Sequence, residues 1–72
     1  MKLYYVDGKK IFLLRLNNGY TKSKFSKQYN ISLEHIKKIE ENGPITYRIL
    51  LKLADIFLID KNSLLLNKID NI

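Results

Sequence analysis

No cysteine occurs in the chain. That excludes a disulfide staple, a thiolate nucleophile and a cysteine zinc site, and it fits a reducing cytoplasm, the expected location. Histidine is nearly absent too: His35 stands alone, and a lone histidine is a poor metal ligand or acid–base catalyst. Long apolar runs are missing. Runs such as Ile11 to Leu14 and Leu64 to Leu66 are far below the ~20 residues needed to cross a bilayer. The N-terminus lacks the apolar stretch and small-residue cleavage site of a secretory signal. There is no glycine-rich phosphate loop, no nucleophile–base constellation and no paired acid/base carboxylates, so an enzyme is not expected. Neither a cofactor nor a metal nor a membrane partner is expected. Internal repeats, low-complexity tracts and linkers are also lacking.

What remains is a chain of 72 residues, one domain's worth, which buries only about 60% of its unfolded surface. Its charge of +6 is unevenly placed. Residues 1–38 hold nine Lys/Arg against two Asp/Glu, and residues 39–72 hold four against five. Lysines that neutralise phosphates release condensed counterions, so the basic half points to a polyanionic partner. Eleven Lys against two Arg, with many Ile and Asn, is also what AT-rich coding would produce. The segregation of the charge, rather than its sum, favours nucleic acid.

The basic half carries the most informative segment, Thr21 to Glu40, TKSKFSKQY-NIS-LEHIKKIE. In its first part Phe25 and Tyr29 fall four apart and share a helix face, with Lys22, Lys24 and Lys27 mostly off it. In its second part Leu33, Ile36 and Ile39 recur every three residues, and Lys37 and Lys38 turn away from them. Ile31, in the connection, would pin the two helices together. A helix that reverses sharply needs a residue of positive φ after its last turn, and Asn30 is among the few side chains that tolerate one. Ser32 and Thr21 can cap the two helices, although Lys24 and His35 stand where Glu or Gln would complete capping boxes. The segment reads as a helix-turn-helix, able to hold one helix rigidly while presenting its polar face.

Around this unit the expected class is all-α. It is a compact bundle of about five short helices, with or without a short N-terminal arm or strand. Residues 1–8 form the arm, 9–66 the core and 67–72 a frayed tail. Leu3 to Val6 favours strand, and Asp7-Gly8 is a common turn pair, so a hairpin continuing into IFLLRL competes with a helix from Lys9 to Asn17. The helix is preferred because the next helix needs a partner to bury Phe25. In it Ile11 and Leu14 point inward, while Phe12, Leu13 and Leu16 exceed what one small face needs and call for the arm or a second subunit. Asn42-Gly43-Pro44 breaks the chain. Thr46 can cap a fourth helix to Phe57, carrying Ile49, Leu50, Leu53, Ala54 and Phe57 inward, and Asp60 can cap a short fifth with Leu64 and Leu65 closing the core.

Taken in order, Leu14-Arg15, Gly19-Tyr20-Thr21, Phe25-Ser26, Ile31-Ser32, Ile36, Ile39-Glu40, Gly43, Leu53-Ala54 and Asp60 with Leu64 resemble the lambda-repressor/Cro-like helix-turn-helix family of bacterial and phage regulators. The resemblance spans Ile11 to Leu65. It implies an Arg15–Glu40 ion pair tying the first helix to the recognition helix, and a recognition helix from Ser32 to about Glu41 lying in the major groove. Lys22 stands where the family usually has Gln, and keeps the backbone-phosphate role open to it. Asn30 replaces a frequent glycine. Glu41 and Asn42 stand where one residue is common, so the loop exit differs, and Leu33 is apolar where a polar base-reading side chain is frequent.

The expected function is therefore a sequence-specific double-stranded-DNA-binding regulator, a repressor acting by operator occupancy. The resemblance also implies a homodimer on near-palindromic half-sites. Base reading is assigned to Leu33 (a thymine methyl), Glu34 (a cytosine amino group), Lys38 (guanine) and Lys37, which could serve a base or a phosphate. Phosphate contact is assigned to Lys22, Lys24, Lys27, Ser32 and His35. Each has a plainer alternative: core packing for Leu33, a solvated first-turn carboxylate for Glu34, solvated surface for the lysines. Tyr20 and Tyr29 look like core, which argues against a single-strand binder using the five tyrosines for stacking. The competing function is a protein-interaction module, an antitoxin or anti-regulator, using the same fold without DNA.

Overall fold

The computed structural model describes residues 2–66. It contains strand β1 (Leu3–Tyr5), helices α1 (Gly8–Asn17), α2 (Lys22–Tyr29) and α3 (Leu33–Glu40), strand β2 (Pro44–Thr46), helix α4 (Tyr47–Phe57) and a 3-10 turn at Lys61–Leu64. The expected frayed tail, 67–72, lies outside the described residues. Among the described residues no helix is long and apolar enough to cross a membrane.

Two expectations about class are corrected. The molecule is predominantly helical but not all-α, because β1 and β2 pair antiparallel in the register Leu3↔Thr46, Tyr4↔Ile45 and Tyr5↔Pro44. The expected fifth helix is a single 3-10 turn, so four α-helices are present among the described residues. Asp60 stands at its N-cap without a side-chain capping bond. The expected arm is likewise more than an arm. Beyond β1, Val6 is wholly buried and forms an antiparallel bridge with Leu65. Asp7 is not a hairpin turn but the N-cap of α1, its carboxylate accepting from the Lys10 N–H at 3.3 Å.

The helix ends follow local chemistry. Thr21, Ser32 and Thr46 each accept a backbone N–H three residues on, at 3.1, 3.1 and 3.4 Å, satisfying donors that have no partner inside the helix. At the opposite ends, α2, α3 and α4 stop on non-glycine residues of positive φ: Asn30 at 55°, Asn42 at 63° and Leu58 at 56°. After α3 the Gly43 N–H donates to the Lys38 carbonyl (2.7 Å) and Asn42 N–H to Ile39 (3.2 Å), the paired closure of a Schellman motif. The second residue of the Glu41-Asn42 pair thus supplies the left-handed position. Asn42 also reaches across the fold, its Oδ1 accepting from the Gly8 N–H at 2.7 Å. Gly8 is required there, since a Cβ would collide with the Glu40 carbonyl.

The core gathers one face from every element. Val6, Ile11, Phe25, Ile31, Ile36, Ile39, Ile45, Leu50, Leu53, Phe57 and Leu64 are buried together. Phe25 stacks on Phe57 with centroids 5.6 Å apart and rings 5° from parallel, which joins α2 to α4. Tyr20 and Tyr29 close around Phe25 at 5.7 and 5.0 Å. Deleting such a ring costs about 3–5 kcal/mol, a large share of what a chain this small has. α3 packs on α1, on α2 and on β2, so its remaining surface is turned outward.

Candidate nucleic-acid interface

The position of α3 is fixed from both ends and from below. Ile36 and Ile39 are each 1% exposed, and Ile31, in the connection from α2, is 3% exposed. At the C-terminal end Arg15 and Glu40 meet as a bidentate pair: Nε donates to Oε2 at 2.7 Å and Nη2 to Oε1 at 3.2 Å. Their side chains are 4% and 7% exposed. The remaining Arg15 nitrogen, Nη1, donates to the Tyr20 carbonyl at 2.9 Å. The guanidinium therefore ties α1, the α1–α2 connection and α3 together. Its planar donor set matches a carboxylate in a way an ammonium could not.

With that face locked, the residues singled out for base contact point to solvent. Leu33, Glu34, Lys37 and Lys38 are all exposed. Leu33 is 39% exposed, so it does not serve the core, and the helical repeat that grouped it with Ile36 and Ile39 breaks at the first turn of α3. Ser32 is exposed with its hydroxyl engaged as the cap of α3, and His35 is half-buried. Ser32, Glu34, His35 and Lys38 line an open groove of about 510 Å³ whose far wall is Pro44 of β2. Lys24 and Lys27 on α2 are exposed and Lys22 is half-buried. The structure thus brings the base-reading candidates onto one outward face of α3 and puts the lysines on the helix packed beside it. Lys37 and Lys38 occupy the last turn of α3, where a cation also complements the helix dipole, and Glu34 complements it in the first.

The Tyr20 and Tyr29 hydroxyls lie 3.3 Å apart. The hydrogen bond with Tyr20, in which the Tyr29 hydroxyl keeps its proton, together with burial and the repulsion between the two phenolates, raises the Tyr29 phenol above its ordinary value. Among the described residues no group of three His, Asp or Glu stands together as a metal site would require.

From the sequence Pro44 reads only as part of a chain break and not as a site residue, and nothing there points to a second groove of about 480 Å³ lined by Lys2, Tyr4, Thr46, Tyr47 and Arg48. Its residues come from the first few positions and from the middle of the chain, and they meet because β1 pairs with β2. The apolar stripe of α1 is the other open surface: Phe12, Leu13 and Leu16 are 40%, 46% and 48% exposed. The arm expected to cover it pairs with β2 instead. Compared with known proteins, the chain matches no family model, no curated protein and no solved structure.

Proposed function

We propose that this chain is a sequence-specific double-stranded-DNA-binding regulator of the lambda-repressor/Cro-like kind, acting in the cytoplasm by occupying an operator. The observation that carries the reading is the contrast between the two faces of α3. One is anchored by Ile36, Ile39 and the buried Arg15–Glu40 pair; the other offers Leu33, Glu34, Lys37 and Lys38 to solvent. A rigid helix with a free polar face beside a row of lysines is what direct readout in the major groove requires. In this reading Lys22, Lys24 and Lys27 hold phosphates and set the register, Ser32 and His35 lie against the backbone at the N-terminal end of α3, and α3 reads the bases.

The test is an anisotropy titration of a labelled mixed-sequence duplex at several salt concentrations. Binding whose logarithm falls linearly with the logarithm of salt, at about 0.9 per phosphate contacted, is expected. No binding even at low salt refutes the reading. The exposed Phe12, Leu13 and Leu16 support a second reading, a protein-interaction module whose partner covers α1. Under the first reading the same stripe serves a homodimer on paired half-sites. Tight binding to one protein with none to duplex DNA would select the second.

A further inference from the structure

The two grooves lie side by side on the strand β2. Pro44 and Thr46 stand two residues apart on one side of that strand, with buried Ile45 between them on the other. Pro44 lines the groove against α3, and Thr46 lines the second groove. At about 3.4 Å per residue the separation along the strand is roughly 7 Å. The major groove of B-DNA is about 12 Å wide, so the phosphates bounding it lie roughly 6 Å to either side of its centre line. A duplex whose major groove receives α3 therefore brings one backbone strand past α2 and its lysines, and the other past β2.

The second groove is built for that strand. Lys2 and Arg48 are both exposed, and the one ion pair among the described residues is Arg15–Glu40, so neither cation is spent on a carboxylate. The Lys2 ammonium stands 5.6 Å from the centre of the Tyr4 ring. That ring meets Tyr47 with centroids 5.5 Å apart and planes 44° from parallel. Two cations beside a pair of tyrosine rings fit a phosphate with its attached sugar, whose C–H face can pack on Tyr4 and Tyr47, better than the carboxylates of an acidic peptide, which carry no such face.

We infer that the β1–β2 sheet is the second clamp of the DNA interface, with Lys2 and Arg48 gripping the phosphates of the strand opposite that held by α2, and Tyr4 and Tyr47 packing against its sugars. The inference rests on the DNA-binding reading above. It assigns a DNA contact to the N-terminal strand and no sequence readout.

The experiment compares the wild-type chain, Lys2→Ala/Arg48→Ala and Lys9→Ala/Lys61→Ala, which removes the same charge outside both grooves. Each is titrated with the same duplex from low to physiological salt, beside duplexes altered one base pair at a time. The Lys2/Arg48 variant is expected to flatten the salt dependence by about two units of slope, two phosphates at about 0.9 each, with base preferences unchanged. The control should keep a slope near wild type. Tyr47→Ala should weaken all duplexes alike, and Tyr47→Phe should not. An unchanged slope in the Lys2/Arg48 variant overturns the clamp and leaves the DNA reading standing. A changed base preference overturns its phosphate role. A wild-type chain that binds no duplex overturns both.

Discussion

Separating Arg15 from Glu40 should be far more damaging than removing the two together. The pair is almost wholly buried, at 4% and 7% side-chain exposure, and bidentate at 2.7 and 3.2 Å. Breaking a buried pair from one side strands a charge and costs about 3–5 kcal/mol. A chain of this length has roughly 4–11 kcal/mol in total, so Arg15→Met and Glu40→Leu should each bring it to the edge of unfolding. The double variant removes both charges and leaves apolar volume in their place. Its main remaining cost is the Tyr20 carbonyl, which loses the donor at 2.9 Å and forfeits about 1–3 kcal/mol. The two single losses would sum to about 6–10 kcal/mol, and the double variant should fall well short of that. Urea unfolding followed by circular dichroism measures this directly. With a slope of about 1 kcal/mol/M for a small chain, each single variant should lose about 3–5 M of its midpoint and the double variant about 1–3 M. A double variant no more stable than either single one would refute the claim that the pair acts as a unit holding α3.

Three further outcomes follow from particular contacts. Leu58 is 86% exposed and left-handed at φ 56°; relief of about 1–2 kcal/mol of backbone strain, less about 0.4–1 for a freer unfolded chain, should make Leu58→Gly more stable in the same urea assay. A lower midpoint would contradict it. Because the Tyr29 phenol is raised by Tyr20, the unfolded chain loses that proton first, and stability should fall as pH climbs above the ordinary tyrosine value of about 10. Tyr29→Phe should remove that part of the slope in a thermal melt series, and an unchanged slope would count against the coupling. Lys22→Ala should weaken binding to all duplexes, whereas Lys38→Ala should also relax sequence preference, as competition between duplexes will read out. Equal losses on every sequence for both variants would undo the division between α2 and α3.

The contrast between local and distant signals explains what could be read from the sequence. Helix α2, its turn and α3 were legible because every determinant is within a few residues: Thr21 and Ser32 as caps, Asn30 as the left-handed stop, Phe25, Ile36 and Ile39 at helical spacing. Arg15 and Glu40, 25 residues apart, were paired by the family resemblance. Of the sheet, the strand character of Leu3 to Val6 was legible, but β2 and its pairing with β1 were not. β1 and β2 are three residues each, too short to show alternation, and some forty residues separate the partners Leu3 and Thr46. Missing that pairing hid the groove of Lys2, Tyr4, Tyr47 and Arg48, and it left the arm free to be assigned to α1. Within α1 the spacing separates the inward pair Ile11 and Leu14 from the surplus Phe12, Leu13 and Leu16, and these three face outward. For Leu33 the period of three was misleading, since the first turn of α3 projects beyond the core that holds Ile36.

Selection of binding sites from a random duplex-DNA pool at physiological salt tests the central claim most directly. An enriched motif is the predicted result, and a palindromic one would mean that two copies bind together. Retention without enrichment, lost as salt rises, would mean a basic surface that reads no sequence. No retention even at low salt would contradict the claim and return the outward face of α3 to a protein partner.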